Sequence, residues 1–380
     1  MKVLFLLTYY YPYWSGLSQY AKRLAEGLAR EGIDVSVLTT QHVKGLPLSE
    51  TINGVRVERK PYLFRLSRTL ISFRLLFFLF KAIGDSDVIF VYLPYSEVLL
   101  ASIISKILSK KIYLVHNADM ELPKGFLNRI IDSIFYTTTS WAISLSTKTI
   151  IYTKDYAEHS LLLKKKRTKW LEILPLFVIP KVTPSEVEVF RKRNQLLGKV
   201  CIGFSGRFVE EKGVDILLAA IPHILKKIPN AYFVFAGDYK LPYENFYEVN
   251  REQIERYDRN ITFLGLIEDQ KTLSKFYSVC ECLVLPSRKE CLGSVQVEAM
   301  LCGTPVVATD IPGARQIVKK TGMGLLAKPN NPESLALSII EVVKGKERFK
   351  RLRSEIESYF DYDKTLRHYL TLLRRDKILL

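Results

Sequence analysis

Val200–Asp238 reads "VCIGFSGRFVEEKGVDILLAAIPHILKKIPNAYFVFAGD": an apolar run, a turn through glycine, a helix-length segment and a second apolar run. Both runs are almost continuously apolar rather than alternating, as strands covered on both faces must be. Strand, helix, strand in that order specifies a parallel pair joined by a crossover. The rhythm continues outward through "NITFLG" (260–265), "ECLVLPS" (281–287) and "TPVVATD" (304–310), with helices after each of the first four strands. Nearer the amino end it recurs as "KVLFLL" (2–7), "DVSVLTT" (34–40), "DVIFVYLP" (87–94), "KIYLVH" (111–116) and "TKTIIYT" (147–153). Helices are expected between them over 17–30, 64–83, 96–109 and 128–144. In the first of these Leu17, Tyr20, Ala21, Leu24 and Leu28 make one apolar stripe. "TINGVRVERKP" (51–61) reads as an extra strand or hairpin edge. The expected architecture is α/β: two Rossmann-like, doubly wound parallel-sheet units, joined after a loose stretch with Pro175, Pro180 and Pro184. Ligands in such sheets bind beyond the carboxyl ends of the strands, which for two facing units means the cleft between them.

Composition narrows the function classes. A chain of 380 residues with 48% apolar, 12% aromatic and 25% charged residues is a folded globular protein. Cys201, Cys280, Cys282, Cys291 and Cys302 form no CxxC pair and no zinc-like spacing, so buried thiols in a reducing compartment are expected. "MKVLFLLTYYYP" is too short in its apolar run for a signal peptide and reads as a buried first strand. The most membrane-like segment, 63–84, is broken by Arg65, Arg68, Arg74 and Lys81, leaving no uncharged run near the roughly 20 residues that a span requires. It could instead lie on a lipid surface, with "LLLKKKRTKW" (161–170) adding charge. The formal net charge is +17; residues 1–180 hold 24 Lys and Arg against 14 Asp and Glu. Such a field attracts nucleic acid, anionic lipid or phosphorylated substrates alike. No aromatic-basic RNA motif or recognition helix accompanies it, so no nucleic-acid partner is expected.

Chemistry gathers at three strand ends of the second half. "FSGRFVEEKG" leaves its strand through Gly206 and Arg207 and starts a helix near Lys212 and Gly213, where the two cations can converge on an anion. "FAGD" ends at Gly237, whose missing Cβ would let a ligand approach the backbone. "LPSRKECLGSVQVEAM" places Gly293 and Ser294 at a helix start, where free amides suit a phosphate. Glu290 before that helix and Glu298 a turn inside it can face one cleft, and carboxylates accept from vicinal hydroxyls at two points. Two carboxylates flanking a basic pair match a ribose and a hexose on either side of a diphosphate, the parts of a nucleotide sugar.

"GRFVEEKGVDILLAA" (206–220), "ITFLGLIEDQKTLSKFYSVCECLVLPSRKECLGSVQVEAMLCGTPVVATDIPG" (261–313) and "GLLAKPNNPESLA" (324–336) resemble the carboxyl domain of family 4 glycosyltransferases with the GT-B fold. "YYPYWSGLSQYAKRLAEGLAREGIDVSVLT" (10–39) resembles their amino domain, and "YFDYDKTLRHYLTLL" (359–373) their returning C-terminal helix. The resemblance implies an acceptor-binding domain over 1–185 completed by 363–380, and a donor-binding domain over 186–362. It implies that Glu290 meets the transferred sugar beside the amides of Leu292, Gly293 and Ser294, and that Glu298 holds the ribose. Arg207 and Lys212 would neutralise the diphosphate, Ile267 would lie near the base, and His116 would stand near the reacting sugar. Gly16, Gly206 and Gly237 complete the expected donor set. The implied activity is hexosyl transfer from a nucleotide-diphosphate sugar, UDP favoured over GDP, to a glycan or a polyprenyl- or other lipid-linked acceptor, with retention of anomeric configuration. No cofactor or metal is required, and the expected place is the cytoplasm or the cytoplasmic membrane face, in contact with anionic lipid, in cell-surface polysaccharide or glycolipid synthesis.

The chain departs from the family pattern at Ser15-Gly16, where two glycines are usual, and at Cys291-Leu292, where an aromatic is usual. "LPLFVIP" stands in place of an Asn-Gly turn before the second domain. "DSD" (85–87) and "DYD" (361–363) imitate a metal motif but read as strand and helix caps. His42, His159, His223 and His368 have no functional frame. The rival readings are a sugar-nucleotide epimerase, a glycosidic phosphorylase, a catalytically inactive nucleotide-sugar binder and, from another class, a nucleic-acid-binding protein.

Overall fold

The computed structural model describes residues 1–62, 64–66, 69–71, 73–120, 125–241 and 244–378, with 64–66, 69–71, 73–77, 127 and 376–378 described by their backbone. The chain forms two compact units, Met1–Leu176 with the segment from Tyr362 on, and Phe177–Asp361. The strands of the first are β1 (Lys2–Leu6), β2 (Asp34–Gln41), β3 (Ser49–Ile52), β4 (Val55–Pro61), β5 (Phe64–Leu66), β6 (Thr69–Ile71), β7 (Val88–Leu93), β8 (Lys111–His116), β9 (Lys148–Ile151) and β10 (Trp170–Glu172). Those of the second are β11 (Val200–Ser205), β12 (Ala231–Ala236), β13 (Ile261–Gly265), β14 (Cys282–Leu285), β15 (Val306–Thr309) and β16 (Gly324–Ala327).

The first sheet runs β10-β9-β8-β7-β1-β2-β4-β3, parallel except for the β3–β4 pair. All six residues of β7 are buried, which is why its sequence shows no alternation. The expected hairpin is present: Asn53 and Gly54 both have positive φ and turn β3 antiparallel onto β4. The helix Gly16–Arg30 starts with a capping box in which the Ser15 hydroxyl accepts from the Ser18 amide, and Ala21, Leu24, Ala25 and Leu28 are buried along it. The helix Tyr362–Ile378 packs against it, with the Arg30 guanidinium donating to the Tyr362 hydroxyl at 2.5 Å.

One expectation needs correction, and two strands were not foreseen. The helix read over 64–83 is a hairpin of β5 and β6 followed by a helix from Phe73 to Gly84, so β-branched Thr69 and Ile71 outweigh the helical spacing. Arg65 and Arg74 of the proposed lipid-facing segment fall where only the backbone is described, and residue 68 lies outside the described residues. Strands β10 and β16 were not foreseen, being three and four residues long, too short to show a period.

The second sheet runs β13-β12-β11-β14-β15-β16, all parallel. Helices Val214–Leu225 and Pro332–Lys344 pack together over one face, burying Leu217, Ile221, Leu335 and Ile339 with Phe233, Val284 and Val307. Chain order reverses between β11 and its neighbour β14, so the loops leaving these two strands meet at the switch point where doubly wound sheets hold ligands. The fold expected from the sequence, two doubly wound parallel-sheet units, is the one observed.

Candidate active site

The loop after β11 (206–213) and the loop after β14 (286–293) are fastened together. The Lys212 ammonium lies 2.6 Å from Glu290 Oε2, both side chains largely buried. Arg288 grips Asp215 with two parallel bonds of 2.8 and 2.6 Å, donates to the Glu210 carbonyl at 2.8 Å, and gives its amide to the Glu211 carbonyl. The paired carboxylate raises the Arg288 pKa further above its ordinary value. Gly213 sits at φ 65° at the start of the helix Val214–Leu225, and a Cβ there would stand 2.0 Å from the Pro286 carbonyl oxygen. Only glycine permits both the conformation and the approach.

Glu290 is held from its other side as well. It forms a parallel bridge with Gly313 in the loop after β15, where a Cβ would lie 2.3 Å from the Glu290 carbonyl oxygen. Gly293, at φ 75°, opens the helix Ser294–Leu301, with Leu292 buried behind it. Glu298, in the middle of that helix, is buried and accepts from the Tyr277 hydroxyl at 3.0 Å. Ser205 Oγ at the end of β11, partly buried, is 3.3 Å from the same hydroxyl, so Ser205, Tyr277 and Glu298 form a chain. Burial, then the Glu298 charge, pushes the Tyr277 pKa well above its ordinary value, and the hydroxyl keeps its proton for this bond. Arg207 pairs with Glu211 at 2.9 Å.

Gly237 is close to Gly206 at the neighbouring strand end. A Cβ there would fall 2.1 Å from the Gly206 carbonyl oxygen, so these two glycines serve the approach of two strand ends to one another. Ile267 is half-buried in the segment after β13. Sequence reasoning missed Arg288, Asp215, Tyr277 and Gly313; the first three are ordinary residue types in unremarked spacings, whereas Gly313 in "DIPG" was quoted without being given a role.

In the first unit His116 ends β8, buried, with Nε2 3.1 Å from Asp119 Oδ1. Asp119 also accepts from the Ser160 hydroxyl at 2.7 Å and the Leu161 amide at 3.0 Å. Burial would raise its pKa, but the His116 bond and charge and these donors hold it below the usual value. Beyond β1 and β2, Tyr9 and Tyr13 stack at 4.4 Å and His42 meets Tyr13 edge-on at 5.3 Å. Fully buried Arg59 lies behind them, bound to Glu50, the Pro47 carbonyl and the Tyr11 carbonyl. A Cβ at Gly16 would meet nothing within 4 Å. Asp87 of "DSD" accepts the Lys2 amide, and Asp361 of "DYD" directly precedes the helix Tyr362–Ile378. Among the described residues no three His, Cys, Asp or Glu are grouped so as to hold a metal ion. All five cysteines are free thiols; burial pushes Cys201 and Cys302 up to about 11 and Cys282 up to about 12.

Two doubly wound, parallel-sheet α/β units are the architecture of the GT-B fold. Residues 14–167 match the family model described as Glycosyltransferase Family 4, and residues 186–358 match Glycosyl transferases group 1. The chain carries one domain of each and belongs to the glycosyltransferases. An uncharacterized glycosyltransferase of Methanocaldococcus jannaschii is 26% identical over 89% of this chain and 88% of its own length. Another from that organism is 36% identical, over 42% of this chain; the match spans 44% of that relative's length. Among solved structures, Anabaena HepE in complex with UDP and glucose matches with a TM-score of 0.79 at 20% identity, covering 99% of this chain and all of that one. At that identity the likeness shows the fold alone. No described helix is long and apolar enough to cross a membrane.

Proposed function

We propose that the chain transfers a hexose from a nucleotide-diphosphate sugar, UDP-linked rather than GDP-linked, to a glycan or lipid-linked acceptor, with retention at the anomeric carbon. The observation that carries this reading is the Lys212–Glu290 pair at the junction of the β11 and β14 loops, with buried Glu298 a turn further on. In the second unit Glu298 accepts from the ribose hydroxyls, held in place by Tyr277. Glu290 accepts from the hexose. Lys212 and Arg207 stabilise the diphosphate as the bond from the anomeric carbon to its oxygen breaks. A bond to the acceptor oxygen forms, and the acceptor's proton leaves with the diphosphate or to solvent. In the first unit His116 is the catalytic candidate, oriented by Asp119. That the similar Anabaena protein was solved with UDP and glucose supports a nucleotide-sugar donor; the choice of uridine over guanosine is tested below.

The test is a thermal-shift panel of UDP, GDP, ADP and their sugar conjugates on the wild type, Glu298→Ala and Arg207→Ala. Donor at a hundredfold its Kd should stabilise the wild type by about 2.7 kcal/mol. A shift with uridine conjugates that both variants lose supports the site; no shift with any nucleotide overturns it. A shift without hydrolysis or transfer would mark an inactive binder.

A further inference from the structure

Helices Val98–Ile107 and Phe126–Leu145 pack side by side and, with Phe73–Gly84, cover one face of the first unit's sheet. Val98, Ala101, Ile104, Ala142 and Ile143 point inward and are buried on it. Their outward faces carry large apolar side chains among the polar residues usual on a protein surface, which on the longer helix are Arg129, Ser133, Thr137 and Ser144. Phe126, Ile130, Ile134 and Trp141 fall within an arc of about 80° around their helix. They are 83%, 43%, 59% and 64% exposed. On the neighbouring helix Ile103 and Ile107 continue the surface, Ile107 at 69%. An exposed apolar stripe spread over two packed helices marks an interaction site.

Cations border it at the carboxyl ends of both helices. Lys106 lies in the last turn of Val98–Ile107. Lys166 donates to Ser144 Oγ at 2.5 Å, Lys169 to the Ser146 carbonyl at 2.6 Å, and Lys148 to the Thr168 carbonyl at 2.9 Å. Besides partial burial, the charges of Lys148, Lys166 and Lys106 lower the Lys169 pKa, so the four stand in one another's field. Residues 164–169 hold five cations in six positions; Arg167 is paired with Glu158 at 3.5 Å. Asp132 is the single acidic residue in the two helices.

This combination selects one occupant. A second copy of the chain on a twofold axis would turn lysine groups of equal charge toward each other. An anionic bilayer supplies the opposite charge and an apolar phase together, and tryptophan favours its interface. We propose that the outward face of Val98–Ile107 and Phe126–Leu145 docks on an anionic lipid surface, with Ile134 and Trp141 entering the headgroup boundary and the bordering lysines meeting the headgroups. This places a lipid contact on the two helices that follow the segment 63–84, and it is independent of the donor reading, which rests on Lys212, Glu290 and Glu298 of the second unit.

The experiment is flotation of the full chain with phosphatidylcholine vesicles, with and without phosphatidylglycerol. Binding is expected with phosphatidylglycerol alone and should weaken with salt. Lys164→Glu with Lys165→Glu should lower the partition by about tenfold or more. Ile134→Glu should lower it as well. These side chains are exposed, so all variants should keep the wild-type melting temperature. Brominated acyl chains should quench tryptophan emission in the wild type and not in Trp141→Phe. Failure to float with either vesicle, or flotation unchanged in Ile134→Glu, overturns the proposal. So does a concentration-dependent dimer that Ile134→Glu abolishes, which would identify a second copy as the occupant.

Discussion

Lys212 Nζ lies 2.6 Å from Glu290 Oε2, so two residues that the sequence assigns to different groups of the donor neutralise one another across the β11 and β14 loops. Removing one leaves the other as an unpaired charge in a largely buried place. Lys212→Ala and Glu290→Gln are each expected to lower kcat/KM by about a hundredfold or more. The double variant should cost less than the product of the two, with a coupling of about 1–3 kcal/mol. Initial rates of transfer, or of donor hydrolysis, measure the cycle; strictly additive losses would show two independent roles.

The two-pronged bond from Arg288 to Asp215 ties the loop that carries Glu290 to the helix that follows Lys212. Arg288→Lys keeps the charge and loses the planar fork. Its expected cost is about 2 kcal/mol in stability by denaturant melting. A fall in kcat beyond that, with donor KM changed less, would show that the fork positions Glu290 for the transition state; a KM effect alone would assign it to donor binding.

The Tyr277 hydroxyl donates to buried Glu298. Tyr277→Phe preserves the ring and removes this donor. Donor KM is expected to rise roughly tenfold, following the loss of one hydrogen bond to a charged group. If Tyr277 acts only through Glu298, the same substitution in a Glu298→Gln background should add little, which nucleotide titration by calorimetry would show.

Two glycines should respond in opposite ways to a methyl group. Gly213→Ala places a Cβ 2.0 Å from the Pro286 oxygen at φ 65°, and a loss of more than about 2 kcal/mol is expected. Gly16→Ala adds a Cβ that meets nothing at the first position of a helix, and a gain of up to about 1 kcal/mol is expected from reduced freedom of the unfolded chain. Thermal melting of both variants tests the pair.

His42 titrates below its ordinary 6.5 because it is partly buried and then because Arg59 is near. The unfolded chain binds this proton more readily, so the neutral ring contributes stability that is full above pH 6.5 and is lost as pH falls through the lowered folded value. The slope of melting temperature against pH just below 6.5 should therefore be flatter in His42→Asn than in the wild type. An unchanged slope would show that the acid sensitivity arises elsewhere.

Much of this molecule was legible in one dimension. The apolar runs at 2–7, 87–94, 200–206 and 231–237 lie in buried strands because a strand covered on both faces has no reason to alternate, and that pattern survives in the sequence. Glu290, Arg207 and Lys212 were singled out as charges beside glycines in loops at strand ends, and Glu298 by its place a turn inside the helix that follows. Other features were decided in three dimensions. That Gly237 yields to Gly206, Gly213 to Pro286 and Gly313 to Glu290 depends on which strand ends lie side by side, and strand order is not written in any local spacing. Arg288 finds Asp215 across 73 positions of sequence, and Tyr277 finds Glu298 across 21, between loop and helix in one case and two helices in the other. The exposed stripe from Phe126 to Trp141 has the spacing of a buried helix face. Only the packing of Ala142 and Ile143 on the sheet turned it outward.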